Sequence, residues 1–152
     1  MAVLVLACAL SFQPRPLFAS SILEKGAWTA DSSTARAITG DIEFTNDQIR
    51  FMTLGFTIAS IRRLQPVEAA SVFDADSNGG GSGNLYRLFI PAKTRFLKKN
   101  TLCGSEDTQW MATYIEGRVL RIAFFSGPQM PVFTTESISN STDLCGTFSY
   151  SR

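Results

Sequence analysis

An all-β fold, one antiparallel barrel of about eight short strands, is what this sequence predicts, and three observations carry it. Apolar and polar residues alternate with period two over most of the chain from Ile38 onward, as half-buried strands require. Turn-forming pairs such as Asn46-Asp47 and Glu116-Gly117 interrupt the alternation at short intervals. Helix signals are sparse. A β-sandwich is the alternative with the same pattern, but a closed barrel leaves no exposed strand edges.

Taken in order, the elements follow from local chemistry. One helical turn at Ile22–Lys25 precedes a first strand headed by Gly26-Ala27-Trp28. In residues 40–45, Ile42 and Phe44 point one way while Asp41, Glu43 and Thr45 point the other. Asn46-Asp47 turns the chain, and residues 48–52 return with Ile49 and Phe51 inward. A third strand covers 56–62, and Pro66 opens a helical turn over 67–72. Residues 86–90 form a strand closed by Pro91, which cannot donate to a ladder. The clearest hairpin joins 110–115 to 118–125 through Glu116-Gly117, where positive φ suits glycine. Segments 94–100, 132–135 and 147–150 are expected to complete the strand set.

The first residues, Met1 to Leu10, form an apolar run of signal-peptide size, ended by Gln13-Pro14-Arg15-Pro16 and followed by small residues near Ala19. Such a run is too short to span a bilayer, which takes about 20 apolar residues, so no transmembrane span is expected. Residues 1–19 are therefore a candidate cleaved leader, and 20–152 a single domain. Val5-Leu6-Ala7-Cys8 also resembles a lipobox, which makes Cys8 a candidate lipid anchor as a minority reading. The chain has 14 basic and 13 acidic residues, and losing Arg15 with the leader balances them. No footprint for nucleic acid results.

Beyond Cys8, the cysteines are Cys103 and Cys145, each in a Leu-Cys-Gly triplet. In an exported chain such a pair is most simply a disulfide, worth about 4 kcal/mol in the chain-entropy model. Histidine is absent, which excludes Ser-His-Asp and Cys-His catalysis and the commonest zinc ligands. Paired carboxylates, Asp41 with Glu43 or Glu106 with Asp107, leave a hydrolase as the least favoured class. Asp74, Asp76, Asn78 and Gly79 match the first half of a calcium loop, but Leu85 stands where the bidentate Glu belongs. A polar, glycine-rich connection is the simpler reading, so neither metal nor cofactor is expected.

Two resemblances add to this. Gly26-Ala27-Trp28, after a short turn and at the head of the first strand, resembles the Gly-x-Trp opening of lipocalins and related calycins. That family implies a Trp plugging the barrel base against an Arg from the last strands, for which Arg121 is the candidate beside Trp28. Ser82-Gly83-Asn84-Leu85-Tyr86 is similar to the Ser-Gly-x-x-Tyr motif of exported c-type lysozyme inhibitors, which implies an interaction loop carrying Ser82, Gly83 and Tyr86. The sequence thus leads to a non-enzymatic barrel, periplasmic or secreted, in a binding or structural role. Its partner is expected to be a small apolar ligand in the barrel mouth, or alternatively a protein met by the Ser82–Tyr86 loop.

Overall fold

A computed structural model describes residues 21–152, so the candidate leader and Cys8 lie outside the described residues. Eight antiparallel strands close into a barrel in simple chain order: β1 (Gly26–Ala30), β2 (Ile42–Phe44), β3 (Gln48–Phe51), β4 (Leu54–Arg63), β5 (Ser82–Ile90), β6 (Thr108–Glu116), β7 (Val119–Ser126) and β8 (Leu144–Ser151). Closure comes from β1 meeting β8, with Thr29 opposite Ser151 and Ala30 opposite Tyr150. The ladder continues as the Asp31 and Ser32 amides donate to the Ser149 carbonyl. Among the described residues, no helix is long and apolar enough to cross a membrane.

Side chains facing inward fill the barrel. Trp28, Ile42, Phe44, Ile49, Phe51, Tyr86, Met111, Leu120, Ile122, Phe124 and Tyr150 form one buried cluster contributed by seven strands. At its centre four rings run in series. The centroid of Phe51 lies 5.2 Å from Phe96 and 6.1 Å from Phe124, and Phe124 lies 5.4 Å from Phe148. Edge-to-face and tilted contacts at these spacings pack rings at interior density and leave little room for a guest.

A second apolar layer lies outside the barrel. Helix α2 (Pro66–Phe73) and helix α3 (Thr135–Ser139) meet over the outer faces of β5, β6 and β7. Leu85, Trp110, Ala112, Tyr114, Ala123 and Phe125 are buried beneath them and beneath Phe133. That explains why these strands read as nearly unbroken apolar runs: both of their faces are covered. Helix α2 is anchored by Glu68, whose carboxylate takes both Arg62 guanidinium bonds (2.7 and 2.8 Å) and the Gln65 amide (2.8 Å). The Arg62 hydrogen bonds hold the Glu68 carboxyl below its ordinary range.

Two expected strands are not formed and one unexpected helix is. Residues 94–100 are a loop with a 3₁₀ turn at Leu97–Lys99, not a strand. Phe96 dips into the core there, so a single buried aromatic was read as half of an alternation. Residues 132–134 are also irregular, and Phe133 packs edge-on against Phe125 at 5.8 Å before α3 begins. Helix α1 (Ser33–Ile38), capped by Ser32 Oγ accepting from the Ala35 amide, joins β1 to β2 where no helix is expected. Cys103 and Cys145 form the disulfide across a separation of 42 residues, tying the β5–β6 loop to the start of β8.

Candidate functional site

The base of the barrel is sealed by residues around Glu24. This carboxylate is fully buried, with no cationic partner among the described residues, and accepts from Asn84 Nδ2 at 2.9 Å, Tyr86 Oη at 2.8 Å and the Thr113 hydroxyl. Three donors compensate much of the cost of removing the charge from water. Burial, then the charge and hydrogen bond of Glu24, push the Tyr86 hydroxyl well above its ordinary value. Trp28, 1% exposed, donates its Nε1 to the Glu24 carbonyl at 2.7 Å. The guanidinium over its ring is that of Arg152, 4.1 Å from the centroid, and Arg152 also donates to the Lys25 carbonyl.

Arg121 is elsewhere. Strand alternation puts it on the outer face of β7, opposite Ser149 of β8, where its Nη1 donates to the Phe73 carbonyl at 2.7 Å. It therefore closes the C-terminal end of α2 and takes no part in the barrel base.

The Ser82–Tyr86 segment is not a loop but the first half of β5. Tyr86 points into the barrel, Gly83 is buried, and Ser82 accepts from Arg63 Nη2 at 3.0 Å. Gly83 is needed because a Cβ there would stand 2.8 Å from the Thr113 carbonyl oxygen. The projecting loop that the inhibitor resemblance implies is thus not formed by these residues. Asp74, Asp76 and Asn78 follow α2 in an exposed turn. Asp76 accepts from the Asn78 amide, and Asp74 caps α2 with φ 53°. Among the described residues no three carboxylate or thiol side chains gather to hold a metal. Asp41 and Glu43 do not converge in a cleft either: both are exposed, and Asp41 accepts from the Ala30 amide. Glu106 is exposed as well, and Asp107 accepts from the Ala92 amide.

The open concavities are on the outside. One, of about 700 Å³, lies at the barrel base between Ile22, Leu23, Ser60 and Arg63, over Asn84 and Tyr86. Its floor residues Asn84 and Tyr86 are both matched internally to Glu24, and Arg63 gives one of its donors to Ser82. Another is a cleft of about 470 Å³ between the last turn of α2, the start of α3 and the outer face of β7 and β8. Its floor carries Arg121, Thr147 and Ser149, and its rim carries Ser71, Asp74 and Thr135. Register fixes the floor, since Arg121 is opposite Ser149 and Ala123 opposite Thr147 on one face.

Comparison with family models, with curated proteins and with solved structures finds no match, so the cleft is read from its own chemistry. Sequence reasoning missed Glu24, Arg152 and the cleft as such. It named Arg121 and Asp74 for other reasons, and the fold brings those two to one cleft.

Proposed function

We propose that the chain is an exported, non-enzymatic binding protein that holds its ligand on the outside of a filled barrel, in the cleft between α2, α3 and the β7–β8 face. The observation that carries this reading is the packed lumen: Phe51, Phe124 and Tyr150 are at most 1% exposed and occupy the volume a carrier would keep open. The cleft offers what the lumen does not, an open concavity with polar groups that the fold leaves unmatched. Export is supported by the apolar run at Met1–Leu10 and by the Cys103–Cys145 disulfide, a bond that persists in oxidising compartments. The Gly-x-Trp resemblance to lipocalins gains support from Arg152 over Trp28, the kind of pairing that family implies, made by a different arginine from the one expected.

Native mass spectrometry of protein isolated from its own compartment tests the reading. A chain shortened near Ala19 should carry a small-molecule adduct, and a Thr147→Trp variant that fills the cleft should not. An adduct that survives in Thr147→Trp, or a chain retaining its leader in the cytoplasm, would overturn it.

A further inference from the structure

The cleft holds one cation and one anion that are not spent on each other. Among the described residues the only ion pair within 4.0 Å is Arg62 with Glu68, so Arg121 and Asp74 line the same cleft with their charges further apart than that. Arg121 commits one of its five N–H donors to the Phe73 carbonyl. Among the described residues its remaining donors have no protein acceptor and the Asp74 carboxylate has no donor. Asp74 ends α2 in the left-handed region, at φ 53° and ψ 35°, a conformation that Asp adopts more readily than most residues with a Cβ. Its amide bond to the Ala70 carbonyl fixes that geometry at the end of α2. Beside Arg121 stand the hydroxyls of Thr147 and Ser149, neither engaged by another described residue.

From this arrangement we infer that the cleft is a site for a small zwitterion of the α-amino acid or dipeptide class. The guanidinium of Arg121, with the Thr147 and Ser149 hydroxyls beside it, receives the carboxylate. A planar fork with adjacent donors suits that group. Asp74, across the cleft, receives the ammonium. Val72 and Phe73, which line the cleft, supply apolar wall for a side chain. A volume of about 470 Å³ is within the range of small-molecule sites and leaves room for one or two residues of ligand. A purely anionic ligand would meet the Asp74 carboxylate, and a purely cationic one would meet Arg121, so the paired charges select for a ligand bearing both.

The inference rests on the outer-cleft reading and narrows it to a ligand class. The test is amide-resolved NMR titration of the intact exported domain with L-leucine and L-leucylglycine, against N-acetyl-L-leucine and L-leucinamide. The zwitterions should give saturable shifts at Asp74, Arg121, Thr147 and Ser149, and each blocked analogue should bind at least about tenfold more weakly. Asp74→Asn should weaken the zwitterions by a similar factor, and Arg121→Lys should retain part of the affinity that Arg121→Gln loses. Equal binding of blocked and free forms at these amides would overturn the zwitterion assignment while leaving a ligand in the cleft. No saturable shift at these amides up to about 10 mM would overturn the site for this class. Shifts confined to lumen residues such as Phe124 would instead overturn the outer-cleft reading itself.

Discussion

Replacing Glu24 by alanine removes the one acceptor shared by Asn84, Tyr86 and Thr113, three side chains projecting from β5 and β6 into the barrel base. The buried Tyr86 and Thr113 hydroxyls then lose their acceptor, at about 1–3 kcal/mol apiece, and the half-buried Asn84 amide loses less because it lines the open concavity. Thr113 can fall back on the Asn84 carbonyl, so the expected loss is about 3–5 kcal/mol. That is a large share of the roughly 5–15 kcal/mol that holds a domain together, and Glu24→Ala should be barely folded. Glu24→Gln behaves differently. Its carbonyl oxygen can face Asn84 and Thr113 while its amide donates to the Tyr86 hydroxyl, which turns from donor to acceptor. All three bonds survive in neutral form, at a cost of about 1–2 kcal/mol. Urea unfolding followed by the fluorescence of Trp28 and Trp110 reads both variants on one scale, provided the slope with denaturant stays constant. An alanine variant within about 1 kcal/mol of the parent would refute the reasoning. A glutamine variant as damaged as the alanine one would show that the charge, not the acceptors, holds the base together.

Further outcomes follow from the same contacts. Reducing the Cys103–Cys145 bridge, or replacing both cysteines by alanine, should cost about 4 kcal/mol in calorimetry, because it frees a loop of 42 residues in the unfolded chain. Gly83→Ala should lower stability by about 1–3 kcal/mol in denaturant unfolding, since its Cβ would press on the Thr113 backbone and Leu64. Arg152→Ala, which strips the cation from the Trp28 ring, should cost about 0.5–1 kcal/mol and shift Trp28 fluorescence, whereas Arg121→Ala should leave that emission unchanged. Tyr86 and Tyr150 both keep their protons far above the ordinary tyrosine value, chiefly through burial. The unfolded chain ionises them near pH 10, so their stabilisation is intact below that pH and lost progressively above it. Tyrosinate absorbance from these two should rise only together with unfolding.

The strands were legible where one face meets the core and the other meets water. Ile42, Phe44, Ile49 and Phe51 alternate with polar neighbours, and all four are inside. Legibility failed where a single aromatic served as an anchor. Phe96 and Phe133 are buried from irregular chain, and period-two reasoning has no means to separate such an anchor from half a strand. It failed again at Glu24, because nothing local marks a carboxylate as buried. Its partners come from positions 84, 86 and 113, and only barrel closure brings them together. The Trp28–Arg152 pair shows the intermediate case. The Gly-x-Trp pattern was visible, but which arginine covers the indole depends on where β8 ends, and alternation turns Arg121 outward. The cleft had no signature in sequence, since its floor comes from β7 and β8 and its rim from α2 and α3.

The packed lumen can be probed directly by xenon under pressure, which enters dry apolar cavities, one of about 150 Å³ among them. The account predicts no xenon among Phe51, Phe124 and Tyr150 in a pressurised crystal. A xenon atom occupying that centre would show a hollow barrel and contradict it.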